Sequence, residues 1–310
     1  MRAKVGVGLV LLLAVALQAP VVADIVAGSG LSTEADPVAA GKAAAEQARK
    51  ALGDKPAKVV LVFQSYPRAE QAKVLEGIAA VFDKGITHGC SGLAAVTDKG
   101  NPAGKAVGLL ALGGDIEVAA ALSPTIAGKH HDAGKALAEK LPKMANARLL
   151  ILFGNCHVDS NKRLVEGAQE VVGKDLPIIG GAASGPATDS YFQGAVAPDT
   201  AVGILLGGDF KVAACSLGGS ENNEVVLRTA GEAAKTAAAE LKGKPAAGFV
   251  FECTGRCGKI KNLSDEMPIL QGALGKELPL IGFYGSGEIG PENGVWTGFG
   301  YHIVCCLIGQ

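Results

Sequence analysis

A chain of 310 residues is long enough to bury a large core without disulfide or metal staples, since chains near that length bury about 75% of their unfolded surface. Its 29 basic and 30 acidic residues nearly cancel, and only 5% of its residues are aromatic. With no basic cluster, that balance excludes the positive patch and stacking platforms of a nucleic-acid binder and the polybasic stripe of a lipid-surface protein.

The first segment is an address rather than a fold element. Met1–Lys4 carries two positive charges, Val5–Leu17 is thirteen residues without a polar side chain, and Val21-Val22-Ala23 offers a small-residue cleavage site. This is the layout of an export signal over residues 1–23, and it predicts a periplasmic or secreted protein. The run is shorter than the roughly 20 apolar residues of a membrane span. Contact with a membrane is therefore expected only if the signal is retained as an anchor. Cleavage after Ala23 leaves 287 residues, and removing Arg2 and Lys4 from the 29 basic residues gives 27 against 30 acidic, a formal charge of −3.

Past a small-residue stretch, Asp36–Leu52 reads as a helix rich in Ala, Lys and Glu, with Asp36 as cap and Pro37 at its first position. Lys58–Phe63 is a β-branched, apolar strand, Ala69–Phe82 an amphipathic helix, and Ile86–Gly89 a second short strand. Val107–Leu112 and Ile116–Leu122 follow as strands, with Gly113-Gly114-Asp115 between them as a hairpin turn. The same order then recurs. Arg148–Phe153 is a strand, Asn161–Val172 a helix, and Leu176–Gly181 a strand, while Ala201–Ala214 repeats the Gly-Gly-Asp segment of Ala106–Ala120. A third, partial copy has helix at Glu232–Leu241, strand at Ala247–Glu252, helix at Asp265–Leu274, and strands at Leu278–Tyr284 and Tyr301–Ile308. Strand-helix-strand crossovers favour parallel pairing. The predicted fold is α+β or α/β, with two similar halves of mixed β-sheets flanked by helices, each unit ending in a glycine-rich loop.

Three glycine tracts end these units: Ile86–Gly92, Leu176–Gly185 and Leu278–Gly290. Glycine after a strand either turns the chain or admits a close neighbour, and successive free N–H groups can also cradle an anion. In the third tract Tyr284, Gly285, Ser286, Gly287 and Glu288 follow the strand, and Cys253, Thr254, Gly255 and Arg256 follow its partner strand. Loops past the carboxyl ends of parallel strands gather on one rim, where ligands bind. There Arg256 offers a planar fork for a carboxylate and Glu288 a partner for an ammonium, which together suit an amino acid. The alternative is that Arg256 and Glu288 bridge one another. On the ligand reading, Arg256→Ala abolishes the response to ligand and leaves the fold intact.

Seven cysteines (Cys90, Cys156, Cys215, Cys253, Cys257, Cys305 and Cys306) are an odd number, so at least one is free or pairs outside the chain. Mostly reduced core thiols, one internal bridge and intermolecular pairing are the alternatives. Cys253 and Cys257 lack a second ligand pair, and a nucleophile elbow is absent, so neither a metal nor a cofactor is expected.

The stretches FQSYPR and HGCSG, LPIIGGAASG, ECTGR and PLIGFYGSGEIG resemble the FIST family, F-box and intracellular signal transduction proteins, from about Val59 to the end. The resemblance implies an N-terminal FIST domain over 24–219 and a shortened C-terminal FIST domain over 220–310. It also implies a sensory role: a small-molecule ligand such as an amino acid or small carboxylate, and a separate signalling protein as partner. Two other readings stand beside it, a thiol-dependent enzyme or redox protein using Cys90, Cys156 or Cys253, and a ligand-free interaction or structural protein.

Overall fold

The computed structural model describes residues 24–310; the export signal read at Met1–Ala23 lies outside the described residues. The first unit runs β1 (Ile25–Ser32), α1 (Pro37–Leu52), β2 (Ala57–Gln64), α2 (Arg68–Ala79), β3 (Thr87–Ser91), β4 (Ala95–Thr97) and β5 (Val107–Gly114). The second runs β6 (Glu117–Leu122), α3 (His130–Glu139), β7 (Ala147–Gly154), α4 (Val158–Val172), β8 (Ile178–Ala182), β9 (Ser190–Phe192), β10 (Ala195–Ala197) and β11 (Ala201–Gly207). The third opens with β12 (Lys211–Gly218), α5 (Asn223–Leu241), β13 (Pro245–Cys253) and the single turn α6 (Thr254–Cys257). It closes with α7 (Glu266–Leu274), β14 (Leu280–Gly285), β15 (Glu288–Glu292), β16 (Val295–Phe299) and β17 (His302–Gly309).

The local signals act as the sequence predicts. Asp36 caps α1, its side chain accepting from the Ala39 N–H at 2.8 Å, and Pro37 occupies the first turn. All three strand-helix-strand units pair in parallel: β2 with β3, β7 with β8, and β13 with β14. The two similar halves form the first two sheets. The third, partial copy is a complete third unit, because β12, read from the sequence as the end of the second copy, pairs with its terminal strand β17.

One expectation fails. The Gly-Gly-Asp segments are not hairpins. Strand β5 pairs with β1 and β2, whereas β6 leaves for the second sheet and pairs with β11. Likewise β11 stays in the second sheet and β12 crosses to the third, where it pairs with β17. The residue after each aspartate explains the corner. Ile116 and Phe210 are buried in the core shared by all three sheets, so the chain dives inward where a hairpin would have folded back. Gly114 (φ 84°) makes the bend, and a side chain there would strike the Asp24 carbonyl.

The sheets run β1-β5-β2-β3-β9-β10, β6-β11-β7-β8-β15-β16 and β12-β17-β13-β14-β4. The first four strands of each come from one unit, and the remainder from another. The second unit lends β9 and β10 to the first sheet, the third lends β15 and β16 to the second, and the first lends β4 to the third. The cut expected between residues 219 and 220 therefore falls inside the third unit, after its edge strand.

Each sheet turns one face outward to its own helices: α1 and α2, α3 and α4, or α5 and α7. The inner faces meet in a common core. Phe63, Phe153 and Phe251 hold matching positions on β2, β7 and β13, with ring centroids 5.0, 5.9 and 6.2 Å apart. Phe283 of β14 fills the space between them, 4.6 Å from Phe63 and 5.6 Å from Phe251. Its counterparts opposite Phe63 and Phe153 are the smaller Cys90 and Gly181, so one unit supplies the central plug.

Candidate functional site

The three glycine tracts converge where the parallel strands end, directly beyond the phenylalanine cluster. Their amides and carbonyls are spent largely on one another. Ser184 N–H donates to Ser91 O (3.1 Å), Leu93 N–H to Tyr284 O (3.0 Å), Ser286 N–H to Ala182 O (3.0 Å), and Ala182 N–H to Gly287 O (2.9 Å). The Ser184 hydroxyl donates to Tyr284 O at 2.5 Å. A Cβ on Gly285 would lie 2.7 Å from Ala182 O, and one on Gly181 2.7 Å from Gly287 O. Close approach of backbone to backbone is thus what these glycines permit.

The sequence-predicted site residues divide between the two faces of the third sheet. On the outer face, toward α5 and α7, Val250 and Tyr284 belong to the helix-side cluster, and Glu252 shares their side. Arg256 is fully buried there. Its Nε donates to Glu252 (3.3 Å), Nη1 to Gly219 O (2.7 Å) and Thr229 Oγ1 (2.9 Å), and Nη2 to Val226 O (3.0 Å), with Glu266 at 3.7 Å. Tyr284 Oη donates to Glu266 and receives Asn101 Nδ2 at 3.4 Å. Burial first, and the charge of Glu252 second, hold Glu266 protonated well above the usual carboxylate range. This buried cluster ties α5, β13, α7 and β14 together.

On the inner face stand Cys253 and Glu288. Ile289 points to α3 and α4, so Glu288, one residue earlier on β15, faces inward beside the end of β13. It is fully buried. Oε2 accepts the His302 N–H at 3.1 Å, and the Cys253 thiol lies near the same carboxyl. Oε1 has no protein partner, and neither does Ser216 Oγ, another buried atom on the adjoining strand β12. Burial, more than any charge, raises Glu288 well above its usual value. Burial also raises the Cys253 thiol, with Glu288 adding to it, while the N–H groups of Tyr301 and Gly255 pull the other way.

Tyr301 stands beside Cys253. Its ring lies against Gly255, where a Cβ would come 2.6 Å from it, and it is 60% exposed with φ 62°. His302 stacks on Phe299 at 4.4 Å. Sequence reasoning missed Tyr301, His302 and Ser216, because their part in the site depends on β12 and β17 closing the third sheet. Thr254, Gly255 and Ser286 are half-buried in the same loops, and Gly285 and Gly287 serve the tract-to-tract contacts.

The expected juxtaposition of Arg256 and Glu288 across one hollow does not form. The guanidinium faces the helices and the carboxyl faces the core, and every guanidinium nitrogen has a protein acceptor. They do not bridge one another either: the acidic partners of Arg256 are Glu252 and Glu266. The other thiols of the enzyme reading are apolar in setting. Burial pushes Cys90 well up and Cys156 up to about 12. His88, two residues before Cys90, packs on Phe192 at 5.0 Å, and burial lowers it to about 4. Among the described residues no group of three or more His, Cys, Asp or Glu side chains is set to hold a metal ion.

Residues 58–244 match the model of the FIST N domain, and residues 202–291 that of the FIST C domain. Two uncharacterized proteins of Mycobacterium tuberculosis, from strains CDC 1551 and H37Rv, are each 41% identical over 63 residues, 20% of this chain. The matched segment spans 16% of the length of those relatives. Among solved structures, a cyanuric acid hydrolase described as an evolutionary innovation by structural concatenation has a TM-score of 0.46 at 10% identity, covering 92% of this chain and 99% of its own. Cyanuric acid hydrolase from A. caulinodans has a TM-score of 0.44 at 11% identity, covering 91% and 99%.

Proposed function

The chain belongs to the FIST family, whose domains are sensory, small-ligand-binding parts of signalling proteins, and from that premise we propose an exported sensor that takes its ligand in the Cys253–Glu288 chamber. The observation that carries the reading is the unpartnered Glu288 Oε1. An orphaned buried polar atom costs about 1–3 kcal/mol, and more if charged, so a donor brought by a ligand recovers what the apo fold gives up. A carboxyl oxygen without a donor, beside a thiol, calls for an N–H donor, which makes the ligand an amine-bearing small molecule such as an amino acid. Entry is by displacement of the Gly300-Tyr301 turn, whose tie to the body includes a bond from Gly219 N–H to Tyr301 O at 3.2 Å. The signal then passes to a separate protein through that turn.

A thermal-shift screen against amino acids, simple amines and small carboxylates tests the reading. Ligand at 100 times Kd adds about 2.7 kcal/mol of stability. Glu288→Gln should remove the shift. If no compound shifts the transition, or if the shift survives Glu288→Gln, the chamber is not the ligand site. Export is tested separately by fractionation and N-terminal sequencing, with Asp24 expected as the first residue. Thiol chemistry is the second reading, and what favours it at Cys253 is the pair of backbone N–H groups of Tyr301 and Gly255, which support the thiolate against burial and Glu288. A Cys253 that reacts with iodoacetamide fastest of the seven cysteines at neutral pH would prefer it.

A further inference from the structure

Two cysteines that neither reading uses face each other across the third sheet. In the antiparallel pair β12–β17, Cys215 stands directly opposite Cys305. Both lie on the outer face, against the cluster under α5 that includes Leu217, Ile303 and Leu307. Directly opposed residues of antiparallel strands have Cα atoms about 4.5–5.5 Å apart. A disulfide spans about 4.4–6.8 Å between Cα atoms. No other pair of cysteines is in register across adjacent strands here: Cys306 faces the central core and lies opposite Ala214 and Phe249.

We propose that Cys215 and Cys305 form a cross-strand disulfide that fastens the third unit's first strand to its last. The need is visible in the topology. Strand β12 is the edge of its sheet, and β17 is its single strand neighbour. The bond would close a loop from residue 215 to residue 305, enclosing nearly the whole third unit. The co-reactant is a low-molecular-weight disulfide. Cys215, which is half-buried where Cys305 is buried, attacks it as thiolate and forms a mixed disulfide, releasing one small thiol. The Cys305 sulfur then attacks the Cys215 sulfur and expels the second. Two protein thiols are oxidised, one external disulfide is reduced to two thiols, and the protons leave with them. The chemistry is independent of any ligand in the Cys253–Glu288 chamber.

The test uses the mature chain, reduced and then equilibrated with oxidised glutathione. Free thiols should fall by two, from seven to five. Peptide mapping without reductant should join the peptides holding Cys215 and Cys305. For a closed loop of this length the oxidised form should melt on the order of 5–10 °C above the reduced form. Cys215→Ser should abolish both the thiol loss and the shift, with Cys215→Ala as the alternative if the serine variant does not fold. Cys306→Ser should leave both intact. Retention of all seven thiols, linkage of any other pair, or arrest as a glutathione adduct on Cys215 would overturn the proposal.

Discussion

Removing the guanidinium of Arg256 gives the sharpest test of how the third unit is held. In Arg256→Met the apolar volume is largely kept, but Glu252 and Glu266 lose their cation, and the carbonyls of Gly219 and Val226 lose a donor. The guanidinium and both carboxyls are fully buried, so solvent screening does not soften the loss. Breaking a buried ion pair by deleting one partner costs about 3–5 kcal/mol. For a chain of this size, that should lower Tm by roughly 10 °C. Urea unfolding of the variant followed by circular dichroism should give a lower midpoint at unchanged slope. Adding Glu252→Gln should return part of the loss, a coupling of about 1–3 kcal/mol, because the carboxyl that lost its cation is then replaced by a neutral amide. A loss below about 1 kcal/mol would put Arg256 in the class of solvated surface pairs and sink the argument.

Three further outcomes follow from the same structure. Burial holds the folded pKa of Glu288 well above its ordinary 4.5, so native stability is lost as pH rises from that value toward the folded pKa, where only the unfolded chain ionises freely. Glu288→Gln should therefore melt above the parent at pH 8, with the gap closing near pH 4, and an equal gap at both values would contradict the assignment. Phe283→Ala empties the plug between the three sheets and should cost about 3–5 kcal/mol in urea titration; a cost below 1 kcal/mol would mean the core does not depend on it. A fragment ending at Gly219 leaves β12 without β17 and the second sheet without β15 and β16. It should bind a hydrophobic dye and show no cooperative melting, and a sharp native-like transition would refute the interlocked fold.

Local order was readable from the sequence, and exchange between units was not. The apolar runs at Val59–Phe63 and Leu149–Phe153 announced buried parallel strands because both faces of those strands are covered. The strands that travel between sheets are β4, β9, β10, β15 and β16, three to five residues each. Segments that short carry too little periodicity to separate them from turns. The Gly-Gly-Asp repeat was seen but misassigned, since a hairpin and a corner between sheets require the same tight bend. Cys253 and Glu288, named by residue type and loop position, do come together in the structure. The separation of Arg256 from Glu288 was hidden, because it depends on which face each residue takes at the end of two different sheets.

The lending of strands around the three sheets also sets an order of assembly. Ala95–Thr97 are made long before Ile281–Phe283, the segment they pair with. The second sheet is incomplete until Val295–Phe299 emerges, almost at the end of the chain. A nascent chain therefore has nowhere to stop partway: only the first sheet can be finished from residues before β11, and its inner face then lacks two of its three walls. Such distant pairings fold slowly and leave apolar edges open meanwhile. The newly made polypeptide should need a holding chaperone until its last twenty or so residues are free, and then close all at once.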